Sequence, residues 1–209
     1  MADDSHRQAL LHNVSRETRD RLQLLESELR RWQAIKNLVG PGTLDDIWNR
    51  HIVDSLQLLA LQPRATTWLD LGSGAGFPGL VLAIAGRDQG LKVDLVERNS
   101  RKCAFLRHVA RLTDAPAVIH EARLEAVIPG FVGRVEVVSA RALASLTDLL
   151  AATEPLLKTG TIGLFPKGRD VDAELTLASR SWKFDQEILP SRTDSDARIL
   201  RITSIERLP

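Results

Sequence analysis

Apolar and polar positions follow two rhythms along this chain. Leu22, Leu25, Leu29, Trp32, Ile35 and Leu38 recur every three or four residues, the spacing that gathers side chains on one stripe of an α-helix. The "GPG" at 40–42 ends that pattern. Thr43, with Asp46 three positions on, resembles a capping box and predicts a second helix. Ile47, Ile52, Leu56 and Leu59 would line its apolar face until Pro63.

From Thr66 the rhythm changes, and short apolar runs alternate with helical segments. Strands are predicted at 67–71, 91–96, 117–120, 134–139, 160–165, 181–188 and 198–205. Helices are predicted at 77–86, 99–112, 145–157 and 170–178. Such alternation implies an α/β fold, a Rossmann-like parallel sheet covered by helices on both faces. Only the polar "PSRTDSDA" separates the last two strands, so they should form a hairpin, with one strand antiparallel to the rest. The expected organisation is a helical extension at 1–63 and a seven-stranded domain at 64–209.

Composition narrows the class. The 209 residues are 44% hydrophobic, enough for one domain with a real core and a small appendage. Charges nearly cancel, at 28 basic and 27 acidic, so a polyanionic partner must be met by a local patch. The single cysteine, Cys103, excludes an internal disulfide and a cysteine-based zinc site, and no metal site is expected. Residues 1–20 carry charges throughout and show no signal peptide. No apolar run approaches the roughly 20 residues of a membrane span. A reducing cytoplasm is the simplest setting.

The stretch with the most chemistry is "WLDLGSGAGFPGLVLAIAG", Trp68 to Gly86. A strand ends near Asp70, and glycines follow at 72, 74, 76 and 79. Either this is a tight strand-to-helix turn, or its bare backbone approaches a nucleotide-like cofactor at the carboxyl end of the first strand. Pro78 suits the first helical turn, where no N–H is needed. Gly74, Gly76 and Gly79 satisfy the dinucleotide spacing G-x-G-x-x-G, with Glu97 following 21 residues after Gly76. Asp70 favours a different ligand. A carboxylate beside the loop would repel a pyrophosphate, whereas S-adenosylmethionine carries a sulfonium and an amino group. Glu97 would then accept hydrogen bonds from the two ribose hydroxyls. The "EARLEA" at 121–126, with the Leu124 backbone and Glu125, stands where an adenine would lie.

The acceptor side is read from the fourth strand, "VEVVSARALASL" at 135–146. It lacks the Asn/Asp-Pro-Pro-Tyr/Phe motif of methyltransferases acting on exocyclic amino nitrogens. Cys103 lies in a helix among Ala104, Phe105 and Leu106, where it reads as core and not as a nucleophile. The strand offers Arg141. An arginine is no base, but its planar fork can align a guanine edge or a phosphate. That suits an acceptor such as guanine N7, which bears a lone pair and loses no proton on attack. Lys167, in "LFPKGRD", should face the same sheet edge, either as a solvated ammonium or against RNA. Arg98, Arg101, Lys102, Arg107 and Arg111 make a basic run, either a solvated face or an RNA contact. In "NRHIVDS", His51, Asp54 and Ser55 sit too close on one helix for a hydrolase triad, and His51 is either a structural hydrogen-bonder or a substrate contact.

These residues together resemble the small-subunit ribosomal RNA methyltransferase G family, also called glucose-inhibited division protein B. The resemblance rests on H-x-x-D-S at His51, Asp54 and Ser55, and D-x-G-S-G-x-G-x-P-G from Asp70 to Gly79. It continues in R-A-x-A-S-L from Arg141 to Leu146 and in Lys167–Gly168, and covers the chain from about residue 20 to its end. Ala140 departs from it, since many members have serine before the arginine. The resemblance implies a class I S-adenosylmethionine-dependent methyltransferase acting on guanine N7 in 16S ribosomal RNA, within a small ribosomal subunit or its precursor. It points to cofactor contacts at Gly72, Phe77, Leu124–Glu125 and Arg141. The alternatives are a small-molecule methyltransferase with the N-terminal helices as a lid, and a non-catalytic dinucleotide-binding module.

Overall fold

The computed structural model describes residues 14–34 and 37–209. Helix α1 (Arg16–Gln33) opens with Ser15, whose hydroxyl accepts from the Thr18 N–H at 3.1 Å. Leu22, Leu25 and Leu29 are fully buried, while Ile35 lies outside the described residues. The helix stops before the glycines that were expected to end it. Gln33 turns the chain instead: its side-chain oxygen accepts from the Leu38 and Val39 N–H groups, at 2.7 and 3.0 Å.

The second helix is corrected more substantially. Thr43 is not a capping residue; its hydroxyl donates to the Gly40 carbonyl at 2.8 Å within a 3₁₀ turn, Pro41–Asp46. A wider π-helical turn, Trp48–Val53, follows and runs into α2 (Asp54–Leu61). In the π turn His51, Ile52 and Val53 are all buried, three in succession. A regular α-helical stripe would turn one of the three outward.

Beyond Thr66 the elements alternate: β1 (Thr67–Leu71), α3 (Gly79–Gly86), β2 (Lys92–Glu97), α4 (Ser100–Leu112), β3 (Ala117–Glu121), the short α5 (Leu124–Val127), β4 (Val137–Ala140), α6 (Leu146–Leu157), β5 (Ile162–Lys167) and α7 (Val171–Ala178). The chain ends in the hairpin β6 (Trp182–Pro190) and β7 (Arg198–Arg207). One seven-stranded sheet results, ordered β3-β2-β1-β4-β5-β7-β6, with β7 antiparallel to both neighbours and the other pairings parallel. The expected fold class and hairpin are both observed.

Side-chain alternation along β1 builds two cores. Trp68 packs with Leu22, Leu25, Leu29, Ile52, Leu56, Leu80 and Phe105 on one face, so the N-terminal helices share a core with α3 and α4. Leu69 and Leu71 pack with Val138, Leu146, Leu150, Phe165 and Leu200 on the other. The chain leaves β1 toward β2 and β3, then returns to β4 on β1's opposite side. In such sheets the crevice at the carboxyl ends of those two strands is where ligands bind. Among the described residues no helix is long and apolar enough to cross a membrane.

Candidate active site

The loop after β1 brings three glycines into left-handed backbone, Gly72 (φ +65°), Gly74 (φ +58°) and Gly76 (φ +93°). Two of them differ in what a Cβ would meet. A Cβ on Gly72 would stand 2.5 Å from Leu143 Cδ1, whereas one on Gly74 would make only ordinary contacts, with the Gly72 carbonyl oxygen at 3.8 Å and Lys102 Nζ at 4.0 Å. Gly74 stands beside a cleft, its N–H donating to Glu97 and its Cα near Lys102, both of which line it. That cleft, about 390 Å³, is lined by Gly72, Glu97, Lys102, Leu124, Glu125 and Leu143 among others.

Asp70 is corrected. Sequence reasoning aimed its charge at a ligand, but the carboxylate is completely buried beneath the loop. Its Oδ2 accepts from the Gly79 N–H at 3.1 Å, at the start of α3, and its Oδ1 accepts from the Ser139 hydroxyl at 2.7 Å. Ser139 in turn accepts from the Trp68 indole at 2.9 Å. Burial pushes the Asp70 pKa up to about 6, against these hydrogen bonds, which pull it down. The alternation that sends Trp68 toward α3 sends Asp70 there too. Its place under an N–H-rich helix start explains an acid at this position without a ligand.

Glu97 ends β2 at the floor of the cleft and is 8% exposed. Its Oε2 accepts from the Gly74 N–H at 2.9 Å and its Oε1 from the Asn99 N–H at 2.8 Å. One lone-pair position on each oxygen remains, matching two hydroxyl donors. Leu124 and Glu125 begin α5 on the opposite wall. Cys103 is buried, its Sγ–H directed at the Glu97 carbonyl, and burial raises its pKa, so it stays a thiol. The basic run does not form one free face. Arg98 and Lys102 line the cleft, while Arg107 pairs with Glu121 at 2.8 Å.

A second cleft, about 470 Å³, opens beside the first, and Ala142 lines both. Arg141 stands at its head, just past β4. One terminal nitrogen, Nη1, donates to the Arg50 carbonyl at 2.9 Å and to Asp54 Oδ2 at 3.0 Å. The other, Nη2, lies 2.8 Å from His51 Nδ1. Because arginine only donates, His51 Nδ1 accepts and the ring proton sits on Nε2. Burial, with the charges of Arg141 and Arg50, pushes the His51 pKa down to about 4. Phe77 from the glycine loop stacks on His51, with centroids 4.6 Å apart, and the guanidinium lies 5.5 Å from the same ring.

Of the two readings of Lys167, the solvated ammonium is not observed. Lys167 is the last residue of β5, with a side chain only 9% exposed. Its Nζ donates to Glu174 at 2.7 Å and to the Ala144 carbonyl at 3.2 Å. Glu174 also accepts from the Leu146 N–H that opens α6. Lys167 thus fixes the 141–145 segment from below.

The fold brings Gly72, Glu97, Leu124 and Glu125 to one cleft, with Gly74 bonded to Glu97 beside it, and Arg141 and Lys167 to the next. Phe77 reaches Arg141, and Asp70 and Gly76 stand beneath the loop as its scaffold. Sequence reasoning missed the hairpin turn 191–197, which supplies Thr193, Asp194 and Ala197 to the second cleft. It also missed how His51 and Asp54 serve Arg141, although their spacing of three places both on one helical face.

The sequence model of the family described as rRNA small subunit methyltransferase G matches residues 18–199. The ribosomal RNA small subunit methyltransferase G of Methylobacterium radiotolerans is 66% identical over 192 residues, covering 92% of this chain and 90% of that protein. Its counterpart in Parvibaculum lavamentivorans is 50% identical over 204 residues, covering 97% and 90%. Among solved structures, the O-methyltransferase TomG from Streptomyces achromogenes, in complex with SAM, aligns with a TM-score of 0.57 at 12% identity, covering 88% of this chain and 90% of that one. At that identity the likeness is one of fold. The match along most of the chain and the high identity to the two relatives settle the family: this chain belongs to the rRNA small subunit methyltransferase G family.

Proposed function

We infer that this chain transfers the methyl group of S-adenosylmethionine to N7 of a guanine in 16S ribosomal RNA, on a small ribosomal subunit or its precursor in the cytoplasm. The carrying observation is the pair of clefts meeting at Arg141–Leu143, one with bare glycine backbone and a two-pronged acceptor in Glu97, the other headed by a fixed guanidinium. The first fits an adenosyl group. Gly74 offers close backbone approach, Glu97 retains acceptor capacity for a ribose, and the start of α5 offers backbone to a ring. When bound, the cofactor supplies a methyl group on a positively charged sulfur.

The second cleft suits an acceptor that needs no base. His51, with a pKa near 4 and its Nδ1 held by Arg141, is not one. Asp54 and Glu174 are both ion-paired, and the other two carboxylates at the cleft wall, Asp46 and Asp194, stand outside the group that fixes Arg141. Guanine N7 already carries the attacking lone pair, so catalysis reduces to alignment. Residues 1–63 supply His51 and Asp54 to a site otherwise built by 64–209. A near-neutral net charge of +1 is compatible with a folded ribonucleoprotein substrate, which offers shape and protein surface besides phosphate.

The test is methyl transfer from labelled S-adenosylmethionine to small subunits purified from a strain lacking this enzyme. The expected product is one 7-methylguanine in 16S RNA, formed at a single-turnover rate that shows no protein ionisation step between about pH 6 and 8. A rate that rises steeply through that range would mean an acceptor that must lose a proton, and N7 would be the wrong atom.

A further inference from the structure

We propose that His51 and Asp54 are positioning residues for the Arg141 guanidinium, holding it so that its two unused N–H donors face the acceptor cleft. The proposal rests on the methyl-transfer reading above and assigns the N-terminal element a part in it.

The donor count gives the argument its content. A guanidinium has five N–H groups. Both on Nη1 are taken, by the Arg50 carbonyl and by Asp54 Oδ2, and one on Nη2 is taken by His51 Nδ1. Nε–H and the second Nη2–H remain, and Arg141 lines the acceptor cleft with its side chain 20% exposed. A free arginine would distribute its donors over many rotamers. Here three acceptors from a single turn of chain, together with the Phe77 ring, leave one orientation.

Both partners are built for this task. The π-helical turn carries His51 inward, and Ser55 donates to its backbone carbonyl at 2.6 Å, bracing the turn. His51 Nε2 is buried without a partner, a cost with no return unless the ring must present Nδ1 as an acceptor. Asp54 uses both oxygens, since Oδ1 accepts from Gln57 Nε2 at 2.7 Å and from the Thr193 hydroxyl at 2.8 Å. An asparagine there must turn its NH₂ toward either Arg141 or those two donors, so no orientation of the amide replaces the carboxylate.

The test uses the full chain, S-adenosylmethionine and small ribosomal subunits, with single-turnover methylation, S-adenosylhomocysteine binding and thermal melting read on every variant. His51→Phe keeps a ring on Phe77 and removes both the acceptor and the unpartnered Nε2–H. It should melt no lower than wild type yet methylate about 10–100-fold more slowly. His51→Asn returns an oxygen close to the Nδ1 position and should recover most of that rate. Asp54→Asn should slow transfer to a similar degree. The decisive arm is the double variant: in an Arg141→Ala background, His51→Phe and Asp54→Asn should each change the rate by less than about twofold, because the group they position is gone.

A wild-type rate in both single variants would overturn the proposal, and so would effects that multiply fully in the Arg141→Ala background. If Asp54→Asn does not fold, His51→Phe and its rescue carry the decision. Failure of the wild-type chain to methylate subunits at all would instead remove the proposed function, so the two failures are distinguishable.

Discussion

Gly74→Ala separates the fold from the ligand site more cleanly than any other change in the glycine loop. The backbone there is left-handed at φ +58°, which costs an L-residue about 1–2 kcal/mol. No steric cost adds to it, because a Cβ at 74 meets only the Gly72 carbonyl oxygen at 3.8 Å and Lys102 Nζ at 4.0 Å. In a chain of this length each kcal/mol lowers the melting temperature by roughly 2–4 °C, so a drop of about 2–8 °C is expected. Gly76→Ala is the contrast. Its Cβ would lie 2.7 Å from Leu80 Cβ at φ +93°, with Leu106 at 3.1 Å, and a backbone-anchored Cβ in a buried helix cannot step aside. That variant should be far less stable. For the cofactor the order reverses, because a methyl group at position 74 would stand at the edge of the cleft, between Glu97 and Lys102, which line it. Calorimetry with S-adenosylhomocysteine should show affinity lowered ten- to a hundredfold, about 1.4–2.8 kcal/mol. A Gly74→Ala protein that melts within the expected range and binds like wild type would refute the placement of the cofactor.

Two further predictions concern the side chains that turned inward. Asp70→Ala strands the Gly79 N–H and the Ser139 hydroxyl and should cost about 1–3 kcal/mol for each, while Asp70→Asn keeps an oxygen for one of them and should cost less. Because the folded-state pKa of Asp70 is raised from 3.8 to about 6, the folded chain holds this proton more tightly than the unfolded one. Its contribution to stability is therefore complete below about pH 3.8 and lost as pH rises through 6, by up to about 3 kcal/mol. Denaturant midpoints of wild type and Asp70→Asn should diverge over that window, and parallel curves would remove the assignment. Lys167→Met should lower stability by about 1–2 kcal/mol, since Glu174 loses its cation in a partly solvated setting. It should leave the salt dependence of subunit binding unchanged, whereas a lysine on phosphate would reduce that slope by about one.

Where the sequence spoke clearly, the physics was local or periodic. Strands β1, β2, β4 and β5, buried along at least half of their length, read as apolar runs, while the little-buried edge strands β3 and β6 are legible from their place in the alternation and the final hairpin. The glycines were legible because few other residues tolerate φ above zero at such a junction. What escaped was set by partners distant in sequence. Gln33 ends α1 by bonding to backbone five and six residues on, and no propensity announces that. The sequence reads Lys167 as either a solvated ammonium or an RNA contact, and neither reading foresees that Glu174 and the Ala144 carbonyl hold it. The two carboxylates Asp70 and Glu174 share one cause. Each sits beneath the start of a helix, at Gly79 of α3 and at Leu146 of α6, and each accepts an N–H that the helix cannot satisfy itself. At the carboxyl edge of such a sheet the strand-to-helix junctions compete with the ligand for every acid. Residue type alone cannot say which acid goes where, but hydrogen-bond capacity can. Asp70 lies wholly buried among its donors, and Glu174 is shared between the α6 start and Lys167. Glu97 retains lone pairs at the floor of a cleft, and Arg141 retains two donors beside the next. By that criterion Glu97 and Arg141, whose partners leave them incompletely satisfied, are the groups proposed to face the ligands.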